Sequence, residues 1–307
     1  MADAPAGNWV DRHAPFAARA FLRLSRADRP AGTWLLLLPC WWGLGLVAAA
    51  DPSGLRLFDL WIAIGCAIGA LLMRGAGCTW NDLTDRDIDA AVARTRSRPL
   101  PSGQITPRAA LVWMFAQALA AFGILLTFPD LAIALGVASL ALVCVYPFAK
   151  RFTWWPQVFL GLAFNWGALL AWAAHSGALA APAVALYCAG VAWTLFYDTI
   201  YAHQDREDDA LIGVKSTARL FGTRTRGWLA VFLVLSAGLA VGAILLADLA
   251  PAPRALALAG VSGFAGHLGW QLSRLDIEDP TRCLGLFRSN RDAGLILALG
   301  LAAAALA

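Results

Sequence analysis

The chain has few charged residues: Asp, Glu, Lys and Arg make up 14% of its 307 residues, whereas a typical soluble domain has about 25%. Hydrophobic residues make up 60% of the sequence. This balance excludes an ordinary soluble domain, and we expect no nucleic-acid partner. It predicts an all-α protein that spans the lipid bilayer several times.

Paired cysteines are also lacking. The six cysteines are dispersed, mostly within apolar runs, and none forms a C-x-x-C pair, so neither a disulfide framework nor a zinc site is indicated. The first 15 residues lack the charged-then-apolar order of a signal peptide, and they include Asp3 and Asp11, which a transit peptide would avoid. We expect a short cytosolic lead over residues 1–32 and a single membrane domain over 33–307.

Long apolar runs are abundant, and a helix needs about 20 mostly apolar residues to cross the hydrocarbon core. The runs predict nine transmembrane helices with a cap on the cytosolic side. They cover residues 33–50, 58–77, 109–128, 131–148, 156–174, 181–200, 227–247, 252–272 and 292–307.

The positions of Lys and Arg predict the orientation of these helices. With a cytosolic N-terminus, nine spans place 22 of the 24 basic residues on the inside, leaving Arg56 and Arg254 outside. Eight spans would spoil this alternation. We expect an integral protein of a bacterial inner membrane, with the N-terminus and the active site on the cytoplasmic side.

Two acidic clusters follow predicted spans on that side. In the first, "NDLTDRDID" (residues 81–89), Asn81, Asp85 and Asp89 are spaced i, i+4 and i+8 on one helical face, and Asp82 borders it. In the second, Tyr201, Asp205 and Asp209 continue a stripe that begins at Asp198. Clustered carboxylates repel unless a cation lies between them, and these oxygen ligands suit Mg²⁺ together with phosphate.

Basic residues are interleaved with both clusters on the same side of the membrane. Arginine and lysine bind phosphate oxygens well. Acidic and basic groups together therefore predict a site for a diphosphate bridged by metal. The competing interpretation is a set of solvated loops that merely obey the charge rule.

The motifs resemble those of the intramembrane aromatic prenyltransferases of the UbiA type. "NDLTDRDID" with "RTRSRPLPSG" (94–103) is similar to the first Asp-rich motif of that family, and "YDTIYAHQDREDDALIGVKSTARLFG" (197–222) is similar to the second. Resemblance extends from about residue 23 to the C-terminus and is closest to the branch that acts on 4-hydroxybenzoate in ubiquinone biosynthesis. Asp87 is an additional acidic residue in the first motif, which we interpret as surface charge.

The resemblance implies a bundle with a central cavity and a Mg²⁺-dependent enzyme. The enzyme would transfer a polyprenyl group from polyprenyl diphosphate to the ring carbon ortho to the hydroxyl of 4-hydroxybenzoate. By motif position, the implied metal and diphosphate ligands are Asn81, Asp82, Asp85, Asp89, Asp205 and Asp209, and Asp82, Asp85, Asp205 and Asp209 are candidate catalytic residues. The implied substrate-binding residues are Arg86, Arg98, Lys150, Arg151, Lys215, Tyr201 and Arg26. Either Arg26 or Arg29 is the implied contact for the benzoate carboxylate.

Several alternatives stay open at this point. The sequence does not choose which aspartate removes the ring proton, how long the prenyl chain is, or whether another aromatic acceptor is used. A cation-coupled transporter is a different class that also carries acidic residues in membrane helices, although such residues favour the bilayer midplane. The Asp-Gly-x-x-Ala-Arg sequence expected of CDP-alcohol phosphotransferases is absent.

Overall fold

A computed structural model describes residues 7–91, 95–206, 210 and 213–307, without the side chains of residues 91 and 205. Over these residues the chain is helical and contains no β-strand. The helices are α1 (Trp9–His13), α2 (Phe16–Leu24), α3 (Ala31–Ala50), α4 (Leu57–Thr84), α5 (Arg86–Ala91), α6 (Pro107–Leu125), α7 (Asp130–Phe152), α8 (Pro156–Ser176), α9 (Ala181–Ala202), α10 (Thr217–Phe221), α11 (Thr225–Leu246), α12 (Pro251–Arg274) and α13 (Pro280–Leu306).

Seven segments among the described residues are long and apolar enough to cross a membrane. They are α3, α4, α6, α7, α8, α9 and the segment Thr217–Leu246, which contains α10 and α11. The all-helical membrane fold predicted from the sequence is therefore confirmed. The two remaining long helices, α12 and α13, carry more polar and charged residues and do not reach the same apolarity.

The last helix shows where hydropathy underestimates helix length. The sequence predicts a span from residue 292, whereas α13 begins at Pro280. Asp279 caps its N-terminus by accepting a hydrogen bond from the backbone N–H of Arg282 at 3.0 Å, which is a common way to start a helix. Charged residues interrupt the apolar run but not the helix, so a search for apolar runs finds only its second half.

Prolines start several of the long helices. Pro129 precedes α7 as its N-cap residue, Pro182 lies in the first turn of α9, and Pro251 is the first residue of α12. Proline is tolerated there because the first backbone N–H groups of a helix have no partner within it. These prolines therefore mark the starts of three long helices.

The chain forms two compact units, residues 1–34 with 67–127 and residues 35–66 with 128–307. The first unit contains α2, α5, α6 and the last part of α4. The second contains α7 to α13 together with residues 35–66, and its largest buried side chains include Trp42, Trp193 and Phe264. In the second unit the indole of Trp42 packs 4.8 Å from that of Trp193, measured between ring centroids.

A buried histidine fixes the connection between α3 and α4 within the second unit. Nδ1 of His175 lies 2.7 Å from Oδ1 of Asp59, and Nε2 lies 3.1 Å from Oδ2 of Asp51. Both backbone and side chain of Ser53 also donate to Asp51, and these bonds, with His175, lower the pKa of Asp51 to about 2. The connection is therefore held against the C-terminal end of α8.

Candidate active site

The first acidic cluster lies where α4 ends and α5 begins. Asp85 separates the two helices, but the backbone N–H of Asp85 donates to the carbonyl of Asn81 at 2.9 Å, and that of Asp89 donates to the carbonyl of Asp85 at 2.8 Å. These are i to i−4 hydrogen bonds. The spacing of four residues predicted from the sequence therefore keeps a helical register through the break.

Three carboxylates of this cluster are buried. The exposed fractions of Asp82, Asp85 and Asp89 are 0%, 1% and 6%. Asp87 and Arg86 are exposed, and Asn81 is half-buried. The exposure of Asp87 agrees with the interpretation of this residue as surface charge. Burying several carboxylates together is costly unless cations compensate them.

Two arginines supply part of that compensation. A terminal nitrogen of Arg26 lies 2.6 Å from Oδ1 of Asp82. Arg98 lies 2.8 Å from Oδ2 of Asp89 and 3.6 Å from Oδ1 of Asp82. In this structure Arg26 contacts a carboxylate of the cluster, so its predicted contact with a benzoate carboxylate stays a prediction.

The electrostatics of Asp89 reflect this crowding. Burial raises the pKa of Asp89, and the nearby charges of Asp82 and Asp85 raise it further, whereas Arg98 opposes them. A carboxyl group in this setting is more easily ionised when another cation approaches. The cluster is thus prepared electrostatically for additional positive charge.

The second carboxylate oxygen of Asp82 is a candidate ligand for such a cation. Oδ2 of Asp82 is buried and has no hydrogen-bond partner among the described residues. Within the same part of the chain, no three acidic, histidine or cysteine side chains converge as a complete ligand set. This arrangement fits Mg²⁺, because that ion takes one or two protein carboxylates and fills its other positions with phosphate oxygens and water.

The loop that carries Arg98 is held by hydrogen bonds and by apolar contacts. Thr95 donates through its hydroxyl to the carbonyl of Asp89 at 2.8 Å. Leu100 and Ile105, both buried, pack with Leu24 of α2 and Ala110 of α6. The N-terminal helix α2 therefore anchors the arginine loop within the first unit.

The predicted phosphate-binding residues of the second unit lie close to one another. The backbone N–H of Lys215 donates to the carbonyl of Lys150 at 3.1 Å, and its side chain donates to the carbonyl of Phe152 at 3.4 Å. Arg151 is exposed and lies over the ring of Phe148. Two predicted cations from distant parts of the sequence are thus brought together.

Aromatic rings line α9 up to its C-terminal end. The ring of Tyr201 lies 4.5 Å from that of Phe287, and the ring of Tyr197 lies 5.9 Å from Phe287, between centroids. The backbone of Asp205 follows in a short 3-10 turn, His203–Asp205. The side chain of Asp205 and the whole of Asp209 lie outside the described residues, so their predicted roles stay predictions.

The sequence analysis did not predict a polar network that lies beside these rings. Asn165 in α8 donates to Thr194 at 2.8 Å, and Thr194 donates to the hydroxyl of Tyr197 at 3.1 Å. Asn165 is buried, and its Oδ1 has no hydrogen-bond partner among the described residues. An amide in the middle of an apolar helix was the available signal, since polar groups at that position are expensive.

Comparison with known proteins gives a consistent relationship over nearly the whole chain. The model of the UbiA prenyltransferase family matches residues 36–291. The Bos taurus protein named mitochondrial 4-hydroxybenzoate polyprenyltransferase is 49% identical over 95% of this chain and 77% of its own length. The Arabidopsis thaliana protein of the same name is 47% identical over 95% of this chain and 70% of its own length. The human protein of the same name is 47% identical over 94% of this chain and 76% of its own length.

Solved structures agree at the level of the fold. An apo UbiA homolog from Aeropyrum pernix K1 superposes with a TM-score of 0.66 at 23% identity, covering 87% of this chain and 96% of that one. A UbiA homolog from Archaeoglobus fulgidus bound to GPP and Mg²⁺ gives 0.65 at 22% identity, covering 92% and 99%. The chain belongs to the UbiA prenyltransferase family.

Proposed function

We propose that the protein transfers a polyprenyl group from polyprenyl diphosphate to the ring carbon ortho to the hydroxyl of 4-hydroxybenzoate, in ubiquinone biosynthesis. The observation that carries this proposal is the identity of 47–49% with relatives of that name over about 95% of the chain. The buried carboxylates of α4 and α5 supply the chemistry that such a transfer requires.

We propose Mg²⁺ as the cofactor, held by Asp82, Asp85 and Asp89, with Asn81 beside them. When bound, Mg²⁺ neutralises the charge that develops on the departing diphosphate. Arg26 keeps Oδ1 of Asp82 occupied, so that Oδ2 remains for the metal. Arg98 would contact phosphate oxygens by leaving Asp89, and Arg86 would do so from the exposed side of the cluster.

The second motif would contribute further ligands. Asp205 and Asp209 are proposed metal and catalytic residues on the strength of the motif, and Lys150, Arg151 and Lys215 are proposed diphosphate contacts. Tyr201 and Tyr197 offer ring faces, and such faces stabilise a neighbouring cation. They would stabilise the allylic cation until the electron-rich ring attacks it and an aspartate takes the ring proton.

The membrane arrangement is proposed on the same basis. We propose nine transmembrane helices within a single domain over residues 33–307, with α12 and α13 completing the seven apolar segments. The active site would face the cytoplasmic or matrix side of an inner membrane. The curated relatives carry the designation mitochondrial, so they give no support to the bacterial membrane expected from the sequence.

The test is an assay of purified protein in lipid nanodiscs with a polyprenyl diphosphate, 4-hydroxybenzoate and Mg²⁺, with products identified by mass spectrometry. We expect a 3-polyprenyl-4-hydroxybenzoate that disappears with EDTA and returns when Mg²⁺ is added. Parallel reactions with other phenolic acids measure acceptor choice. A preparation whose cooperative thermal unfolding shows that it is folded, but which forms no prenylated product with any of these acceptors, contradicts the proposal.

A further inference from the structure

The arginine that contacts Asp82 sits on an unusual backbone. Arg26 has φ of +57°, a left-handed conformation that is uncommon for residues other than glycine. It lies in the turn that follows α2, where the backbone N–H of Arg26 donates to the carbonyl of Arg23 at 3.1 Å. A conformation of this kind persists only where the surroundings fix it.

Ser25, the preceding residue, is held in a closed ring of hydrogen bonds with α6. The indole N–H of Trp113 donates to the hydroxyl of Ser25 at 2.8 Å, and this hydroxyl donates to Oε1 of Gln117 at 3.1 Å. The amide of Gln117 then donates to the carbonyl of Trp113 at 3.3 Å. Each polar group in the ring has a partner, so the position of Ser25 is defined from two directions.

Gln117 is otherwise unexpected in its helix. It is a buried amide among apolar residues of α6, where a polar side chain is expensive and usually has a function. Gly75 of α4 makes room for it, because a methyl group at that position would overlap Oε1 of Gln117. The chain therefore keeps both a costly amide and a glycine at this contact, which joins α4, α6 and the turn after α2 within the first unit.

We propose that Trp113 and Gln117 are positioning residues that act through Ser25, holding Arg26 on Oδ1 of Asp82 so that Oδ2 stays oriented toward the divalent metal. This inference rests on the proposed function, since it takes Asp82 as a metal ligand. Groups that orient a metal ligand typically change metal affinity by about 10- to 100-fold when they are mutated. The residues of this network are distinct from the proposed metal and diphosphate ligands.

Metal binding measured without turnover tests this role. Mn²⁺ is titrated into the purified full-length protein with inorganic diphosphate and no aromatic acceptor, and free Mn²⁺ is followed by EPR. Gln117→Leu removes the amide, and Gly75→Ala displaces it from the opposite side. We expect each to raise the apparent dissociation constant of Mn²⁺ about tenfold, and Trp113→Phe, which keeps the ring that packs 5.4 Å from Phe21, to raise it in the same direction.

The matched control is Gly69→Ala on the same helix α4, where an added methyl group meets no atom within 4 Å among the described residues. It should bind Mn²⁺ within twofold of the parent. In the assay with Mg²⁺, the network variants should raise the KM for Mg²⁺ more than they lower kcat, because saturating metal restores occupancy of the site. A variant whose only defect is a smaller folded fraction would lower kcat and kcat/KM in the same proportion. It would leave the KM for Mg²⁺ unchanged.

A double-mutant cycle tests whether the network acts through Arg26. If it does, Gln117→Leu causes no further loss of Mn²⁺ affinity in the Arg26→Gln background. Fully additive losses, or parental affinity in both Gln117→Leu and Gly75→Ala, overturn the inference while leaving the proposed function intact. A parent protein that binds no Mn²⁺ under these conditions overturns the metal assignment and this inference together.

Discussion

At the scale of single residues, the acidic cluster separates buried from exposed carboxylates within a few positions. Asp82 is fully buried, whereas Asp87 is exposed. The same chemical group therefore meets two environments on adjacent turns. A pair of identical substitutions at these positions distinguishes a role in the site from general surface charge.

Asp82→Asn should lower kcat/KM by about 100-fold or more, because it removes the charge of the carboxylate that we assign to the metal. Asp87→Asn is the matched control and should stay within about twofold of the parent. Product formation in nanodiscs at saturating Mg²⁺ measures both. Equal losses in the two variants would mean that the cluster acts only through its total charge.

His203 predicts a pH dependence of stability. Burial lowers its pKa to about 4 from the ordinary 6.5, and the charge of Arg206 adds to this shift while Glu278 opposes it. The hydroxyl of Thr225 donates to the carbonyl of Gly222, so it accepts from Nε2 of His203, which lies 3.1 Å away. Nδ1 is left buried without a partner among the described residues, so the folded protein holds a neutral imidazole.

Because the unfolded chain binds a proton at His203 before the folded protein does, stability is full above pH 6.5 and falls as the pH drops toward 4. The loss from this group is up to about 3 kcal/mol. Thermal unfolding in detergent between pH 7.5 and 4.5 measures it. His203→Gln should flatten the dependence in this window, whereas His13→Gln, at an exposed position, should keep the slope of the parent.

At the scale of elements, the loop after α5 is held by an apolar anchor as well as by its arginines. Leu100 is buried at 3% exposure against α2 and α6. We expect this anchor to help hold Arg98 near Asp82 and Asp89, beside the hydrogen bond from Thr95. The sequence shows the arginines plainly but does not show which apolar residue fixes them.

Leu100→Ala should lower stability by about 2–4 kcal/mol through the cavity that it leaves, and it should raise the KM for polyprenyl diphosphate severalfold because Arg98 loses its support. Leu55→Ala, at a residue that is 45% exposed, is the control and should change neither. Thermal unfolding and steady-state kinetics report the two effects. Lower stability with an unchanged KM would show that the loop keeps its position without Leu100.

The last two long helices, α12 and α13, approach each other through glycines. A methyl group at Gly260 would lie 2.9 Å from the Cα atom of Gly300, a distance that forces the helix backbones apart. Near the other end of this contact, Asn290 donates to Gln271 at 3.1 Å. Close backbone approach and a buried polar bond are the usual means by which helices associate in lipid.

Gly260→Ala should therefore lower the midpoint of thermal unfolding by several degrees, although alanine is by itself the better helix former. Gly266→Ala on the same helix, where an added methyl group meets no atom within 4 Å among the described residues, should leave the midpoint equal or higher. Static light scattering during a temperature ramp in detergent measures the unfolding midpoints of both variants and of the parent. Identical midpoints would show that the two backbones separate without cost.

At the scale of the whole chain, composition and apolar runs were sufficient for the fold class, and the motifs were sufficient for the family. The spacing of the first acidic cluster, rather than the apolar run over 58–77, indicated that α4 extends to Thr84. Apolar runs located the start of α8 well. They missed the first half of α13, where charged residues lie inside a continuous helix. Hydropathy reports how much of a helix faces lipid. A helix that packs against another helix has less surface facing lipid and can therefore be less apolar.

The individual contacts of the site were harder to foresee. The pairing of Arg26 with Asp82 joins residues 56 positions apart, and nothing in local spacing predicts it. The ring of Ser25, Trp113 and Gln117 depends on a glycine in a third helix. Motifs mark which groups matter, but the way in which neighbouring helices hold those groups emerges only from packing.

The glycine contact between α12 and α13 bears on how the protein enters the bilayer during synthesis. Each of these helices alone is less apolar than the seven candidate spans, whereas in the folded protein the Gln271 and Asn290 amides are buried. The final segment of the chain would then leave the insertion machinery as a preassembled hairpin. Both helices must then be synthesised before either of them becomes committed to the membrane.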